Sequence, residues 1–246
     1  MLGDAAPSTQ IVSPWLMPVD VTNPRDRMLA LSVDLAQRSS AVSWICSELS
    51  LIALSARLWL RTQAKLSDNY DVLLRHFDPR VLPVLHRVLE AHQRDAFFNL
   101  GHAWLYMDRE SALCEILLTR APVVEPLAWS LDLNDMQAAA LLDAAEIDAV
   151  MPQLVNEDPE RFIALGNGAA RYQFTSHWLE RARHWKLEQF PQKVVLCTLA
   201  LRLGPGFDEQ PAWQSALSKV ARAEMRFGDA IELAMDATAK EGETTS

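Results

Sequence analysis

Glycine is scarce, with 8 copies in 246 residues, well below the roughly 7% of an average chain. Few glycines leave few tight turns and few phosphate-cradling loops. That disfavours an all-β sandwich or a nucleotide-loop enzyme and favours helices. Cysteine is scarcer still. Cys46, Cys114 and Cys197 lie far apart and form no CxxC pair, so neither a zinc site nor a disulfide framework is indicated. Reduced thiols of a cytoplasmic protein are the expectation. Positive charge is in deficit: 23 basic against 32 acidic residues, a formal charge of -9. Phosphate backbones would be repelled and no local basic patch offsets this, so nucleic acid is not an expected partner. No apolar run reaches the ~18 residues of a spanning helix. The nearest, 49–60, is interrupted by Arg57, so membrane insertion is not expected. The opening residues, MLGDAAPSTQIVSPW, carry an acid and no basic region, unlike a secretion signal. The motifs GxSxG, HExxH, GxxxxGK and GxGxxG do not occur.

What is present is ordinary globular composition, 50% hydrophobic and 22% charged, in a chain long enough to bury a core. Residues 14–19 (PWLMPV) read as an edge strand or extended segment, because proline cannot donate to a central ladder. Residues 41–46 (AVSWIC) read as a second short strand. A helix is expected over 50–66, with Leu51, Leu54, Leu58 and Trp59 at helical spacing. Asn69-Tyr70-Asp71 reads as a turn and 72–77 (VLLRHF) as a buried strand. Asp78 can cap a following helix, with Pro79 at its first position. Val81, Leu82, Leu85, Val88 and Leu89 form its apolar stripe, and Pro83 predicts an irregular first turn. Residues 93–99 read as helical and 103–106 as a strand. The proline-bearing stretch 120–126 is the expected lobe boundary. After it, Asn134 to Gln137 resembles a capping box, and Ile147, Val150, Met151 and Leu154 follow helical spacing. Asp158-Pro159 repeats the cap-then-proline start. Helices are expected over 174–190, 191–203 and 213–235, with Gly204-Pro205-Gly206 as a stop and a frayed tail over 241–246. The expected fold class is α+β: a small mixed α/β lobe over 1–125, then an all-α lobe over 126–246, helix-dominated overall.

Four constellations carry candidate chemistry. His76 and Asp78, with His86 and His92 downstream, could ligate a metal, or serve acid–base work with Asp78 held by an arginine. The plainer reading of Arg75, Asp78 and Arg80 is a cap with an ion pair that fixes the strand–helix junction. His177, Glu180, His184 and Glu188 share a helix face, where Arg181 opposes cation binding, so a solvated face is the better reading. Gly166-Asn167-Gly168 reads as a turn or helix end. The eight tryptophans, Trp15, Trp44, Trp59, Trp104, Trp129, Trp178, Trp185 and Trp213, read mostly as partly buried core, with some left for an interface. No metal and no cofactor is expected.

The stretch Val72-Leu-Leu-Arg-His-Phe-Asp-Pro-Arg-Val-Leu82 resembles the signature of the type VI secretion effector adaptor, or chaperone, family (Tap/TEC-like). Arg75, Phe77, Asp78, Pro79 and Arg80 match it, while His76 stands where an aromatic is more usual. Pro14-Trp15-Leu16 resembles the family's early strand, 44–61 its strand and arginine-ended helix, and 93–104 its lead into an aromatic-bearing strand. His177-Trp-Leu-Glu-Arg-Ala-Arg-His-Trp185 and Leu203-Gly-Pro-Gly-Phe-Asp-Glu-Gln-Pro-Ala-Trp213 resemble its C-terminal helices and connection. Family members usually carry a further helix and strand before the first of these segments, so the expectation is either a trimmed N-terminal lobe or a misplaced start. The resemblance implies a non-enzymatic cytoplasmic adaptor, with an α/β lobe, a helical lobe and a cleft between them. It implies binding of a toxic effector, often through the effector's N-terminal region, and loading onto the VgrG spike. The alternative is a small metal-dependent or acid–base enzyme using His76 and Asp78.

Overall fold

The computed structural model describes residues 14–23, 25–118 and 129–244. The chain divides into two compact units, Met1–Ala145 and Glu146–Ser246. The boundary expected at 120–126 and the opening residues 1–13 lie outside the described residues. Mixed α/β structure is confined to the first unit and the second is helical, as the composition and patterning imply.

In the first unit, α1 (Arg27–Arg38) starts on Asp26, whose carboxylate accepts the amides of Met28 and Leu29. β1 (Ser43–Cys46) follows, then α2 (Leu51–Leu60), capped by the Ser50 hydroxyl. The helix expected over 50–66 stops early, because 63–66 form β2 (Gln63–Leu66) with Ala64 buried and its two neighbours exposed. Period two replaces the helical period there. A turn with Asn69 at φ 64 leads into β3 (Asp71–Leu73). Asparagine is among the few residues that tolerate this left-handed conformation. The strand expected over 72–77 is therefore cut to three paired residues, and the chain turns at 75–81 instead. Two short helices follow, α3 (Leu82–Val88) and α4 (Ala91–Phe97). The helix expected to begin at Pro79 begins three residues later, with Pro83 in its first turn, where a missing amide breaks no bond.

β4 (Ala103–Met107) lies between β1 and β5 (Leu113–Leu117) in an antiparallel sheet of order β1-β4-β5. A second sheet has order β3-β2-β6, where β6 (Leu131–Leu133) pairs parallel with β2. Residues just after the expected boundary therefore belong to the first unit's sheet. Residues 14–20 adopt neither helix nor strand, although Leu16 packs on the core. That core gathers Leu54, Leu58, Leu85, Phe97, Phe98 and Trp104 with inward residues of both sheets.

α5 (Asp135–Glu157) starts on the capping box read from the sequence. The Gln137 amide donates to Asn134 Oδ1 at 2.9 Å, and the Asn134 amide to Gln137 Oε1 at 3.1 Å. In the second unit its residues Ile147, Val150 and Leu154 are buried at the expected spacing. α6 (Pro159–Ala164) starts on Asp158, and α7 (Gly168–His184) starts on Asn167, earlier than expected. α8 (Phe190–Leu203) ends at Gly204, and the positive φ of Gly204 and Gly206 turns the chain into a short 3₁₀ segment (Phe207–Glu209).

The single helix expected over 213–235 is two, α9 (Pro211–Ala221) and α10 (Phe227–Thr244). The break is a helix-terminating motif at Ala223, φ 59. The Ala223 amide donates to the Val220 carbonyl and the Glu224 amide to that of Lys219. Lys186, φ 55, closes α7 in the same way, with Leu187 donating back to Ala182. A side chain at this position costs about 1 kcal/mol. Ala223→Gly is therefore expected to stabilise the protein by roughly 0.5–1 kcal/mol in denaturant unfolding. A loss of stability would contradict the strained conformation.

Candidate functional site

Residues 75–82 wind through successive tight turns. The Asp78 amide donates to the Arg75 carbonyl, and the Val81 and Leu82 amides donate to the Asp78 carbonyl. The Asp78 side chain fills the centre of this coil and is 6% exposed. Its Oδ1 accepts the Arg80 amide and Nε, each at 3.0 Å, and its Oδ2 accepts Arg80 Nη2 at 2.8 Å. Arg75 Nη2 approaches Oδ2 at 3.4 Å. Burial pushes the carboxyl pKa up, but the bonds and charge of Arg80, with the charge of Arg75, outweigh it and hold Asp78 below the ordinary range. Asp78 thus caps a turn, not the helix expected at Pro79, and its ion pair is the junction clasp that the plainer reading described. Asp78 is held as an ionised acceptor with both oxygens engaged.

His76 turns the other way, into the core, and is 3% exposed. Its ring lies edge-on to Phe77, Phe97 and Trp104, each 5.8 Å away between centroids. Nε2 lies 3.0 Å from the Leu58 carbonyl, so this nitrogen donates. That carbonyl sits in the last turn of α2, where helical partners run out. His76 therefore caps the end of α2, while among the described residues its Nδ1 has no hydrogen-bond partner. Burial drives its pKa down to about 4, with Arg61 adding in the same direction and the Leu58 bond opposing it. His76 Nε2 and both Asp78 oxygens, neighbours in the acid–base and metal readings, are committed to separate partners. Of the other histidines, His86 packs on Phe98 and His92 pairs with Glu90 at the surface. Among the described residues no group of three or more His, Cys, Asp or Glu side chains is placed to hold a metal.

Arg61, which closes α2, was not singled out in the sequence, and it is fully buried. Its Nε donates to the Phe97 carbonyl at 2.6 Å, Nη1 to the Arg57 carbonyl at 2.9 Å, and Nη2 to the Ala96 carbonyl at 3.0 Å and to Asn99 Oδ1. The guanidinium also lies 5.0 Å from the Trp129 ring centroid. Its only advance signal is its place at the end of the helix the resemblance covers. The segments 44–61, 72–82 and 93–104 thus meet around Arg61, His76, Phe97 and Trp104.

The second unit repeats this convergence. Asp208, buried in the 3₁₀ segment, accepts Arg181 Nε at 2.7 Å and Trp185 Nε1 at 2.9 Å. Phe207 stacks on Trp178 at 5.1 Å and meets Trp213 edge-on at 4.9 Å. The segments 177–185 and 203–213 are therefore packed on each other. His177, Glu180 and His184 stay on the exposed side of α7, as a solvated face requires, while Glu188 is exposed beyond the end of the helix, which stops at His184 before the turn at Lys186. A surface groove of about 770 Å³ is lined by residues of 186–192 and 220–229, and carries charge of both signs from Lys186, Arg226, Glu224 and Asp229. Of the tryptophans, Trp104, Trp178, Trp185 and Trp213 are core, and Trp15 is the most exposed. The cysteines are unpaired and in three different settings, exposed Cys46, half-buried Cys114 and buried Cys197. No helix among the described residues is long and apolar enough to cross a membrane.

Residues 2–96 match a protein family described as Domain of unknown function (DUF4123). The matched span takes in α1 to β3, the Asp78 coil and most of α4, and ends before β4. No curated protein and no solved structure matches the chain.

Two measurements test this geometry. Removing the buried acceptor in Asp78→Ala is expected to lower stability by roughly 2–4 kcal/mol, because Arg80 and the coil amide lose their partner together; a change under about 0.5 kcal/mol would contradict the clasp. His76 folds neutral, with its pKa below that of the unfolded chain. Its contribution is complete above about pH 6.5 and is lost as pH falls toward 4, by at most about 3 kcal/mol. His76→Phe is expected to remove that part of the pH dependence while losing about 1–3 kcal/mol at pH 7.5 from the orphaned Leu58 carbonyl. Parallel pH profiles of the two proteins between pH 7.5 and 4.5 would contradict it.

Proposed function

We propose that this chain is a non-enzymatic cytoplasmic adaptor of a type VI secretion system, which binds a toxic effector and helps load it onto the VgrG spike. The match of residues 2–96 to DUF4123, the domain family known for such adaptors, carries the reading. The inward commitment of the signature supports it: the Asp78 oxygens are taken by arginines and His76 caps a helix, so these groups work on the fold. Recognition then belongs to the surface, and the acidic balance of the chain suits a basic effector segment and speeds its capture. The effector's N-terminal region is the expected contact, as it is in the family resembled.

The tagged chain, purified from its native cells and analysed by mass spectrometry, is expected to bring down one dominant secreted protein with VgrG in smaller amount. Asp78→Asn protein that remains folded is expected to keep that partner. Recovery of nothing above background would contradict the adaptor. So would a turnover that Asp78→Asn abolishes with the fold intact, which would assign the chain to the enzymes.

A further inference from the structure

The sheet β1-β4-β5 has one face on the core and one face out. The register puts Trp44, Leu105 and Glu115 on the outer face, with Leu113 and Leu117 beside Glu115 on β5. Helix α1 covers this face at the β1 side, where Trp44 Nε1 donates to the Ser32 hydroxyl at 2.9 Å. On the β5 side Leu113 is 60% and Leu117 77% exposed. β5 is also an end strand, and among the described residues nothing pairs with its far side.

The direction of its free backbone groups follows from the ladder. The Leu118 amide donates to the His102 carbonyl, and the Asp108 amide to that of Ala112. Antiparallel pairs alternate, so Cys114 and Ile116 bond to β4, and the amides and carbonyls of Leu113, Glu115 and Leu117 point to the open edge. The same three residues thus present both free main-chain groups and exposed side chains in the order apolar, acidic, apolar. An edge of this kind is normally blunted by charged side chains, proline or a bulge; β5 has no proline, and its one charge is Glu115.

We propose that β5 is the strand-addition site for the effector, taking an extended segment of pattern apolar-x-Lys/Arg-x-apolar. The cation faces Glu115 and the apolar residues face Leu113 and Leu117 on the outer face. Main-chain bonds to the three free positions supply binding and the alternating side chains supply selection. A second copy of this chain is the wrong occupant: antiparallel self-pairing centred on Glu115 sets two carboxylates opposite each other, which is destabilising. Off-centre registers set Glu115 against leucine. The proposal rests on the adaptor reading for the identity of the partner, while the edge itself is tested without it.

The probe is the palindromic peptide TVTKTVT, which fits either strand direction, compared with TVTETVT by NMR on the full chain. TVTKTVT is expected to slow hydrogen exchange at the amides of Leu113, Glu115 and Leu117, and to bind roughly fivefold tighter than TVTETVT. Glu115→Lys is expected to reverse that order. Leu117→Pro, which removes an edge-facing amide that β4 does not use, is expected to abolish binding with the spectrum of the fold retained. Equal binding of the two peptides, no protection at those amides, or a solution dimer that Leu117→Pro dissolves would overturn the proposal. A partner captured from native cells and held undiminished by Leu117→Pro would remove the effector from this edge while leaving the adaptor reading intact. Capture of no partner by wild type, with the peptide behaving as expected, would sink the adaptor reading and keep the edge as a peptide site.

Discussion

A guanidinium cannot be taken out of water unless its donors find acceptors. Arg61 is buried completely, and it is satisfied by carbonyls at the ends of two helices, Arg57 in α2 and Ala96 and Phe97 in α4, together with Asn99. The Ala96 and Phe97 carbonyls are among those a helix leaves without partners, while the Arg57 carbonyl also takes the Arg61 amide. One side chain therefore closes two helix ends and fixes where they meet. His76 does the same for the Leu58 carbonyl, and Asp78 ties the following coil to Arg80. The interior of the first unit is held by polar groups whose partners are specific, surrounded by aromatic rings that exclude water.

This arrangement decides how the Asp-Pro-Arg signature is understood. A signature can mark a site or a scaffold. Here the carboxylate faces arginines of its own turn and the imidazole faces three aromatic rings, so the segment serves the scaffold. The second unit follows the same logic with Asp208, whose carboxylate gathers Arg181 and Trp185 while Phe207 wedges between Trp178 and Trp213. In the adaptor we propose, recognition then falls to the surface. On the first unit its most directional feature is β5, where backbone groups, leucines and one acid are presented together.

Much of the fold was legible in the sequence wherever one local rule dominates. The Asn134–Gln137 box, the Asp158-Pro159 start and the Ile147–Leu154 stripe needed only the helical period and capping chemistry. The failures have physical causes. Residues 63–66 (QAKL) follow α2 with no glycine or proline to mark a break, and only pairing with β3 and β6 makes them a strand. β5 and β6 are too short for a period, and β5 carries an acid at its centre. The break at Ala223 has no glycine to announce it. The burial of Arg61 was hidden because a lone arginine at a helix end reads as solvated; three of its four acceptors, Ala96, Phe97 and Asn99, are more than thirty residues away at the end of α4. His76 was visible as an oddity in an aromatic position, and its ring contacts show why an aromatic suits that place.

We propose that the Arg75–Arg80 segment holds the fold and that recognition lies on other surfaces. A double-mutant cycle on Asp78 and Arg80, read both in unfolding free energy and in partner retention, tests it most directly. A coupling of about 1–3 kcal/mol in stability is expected, with every variant that remains folded keeping its partner. Uncoupled, fully stable variants that release the partner would contradict it, and would place the signature on the binding surface.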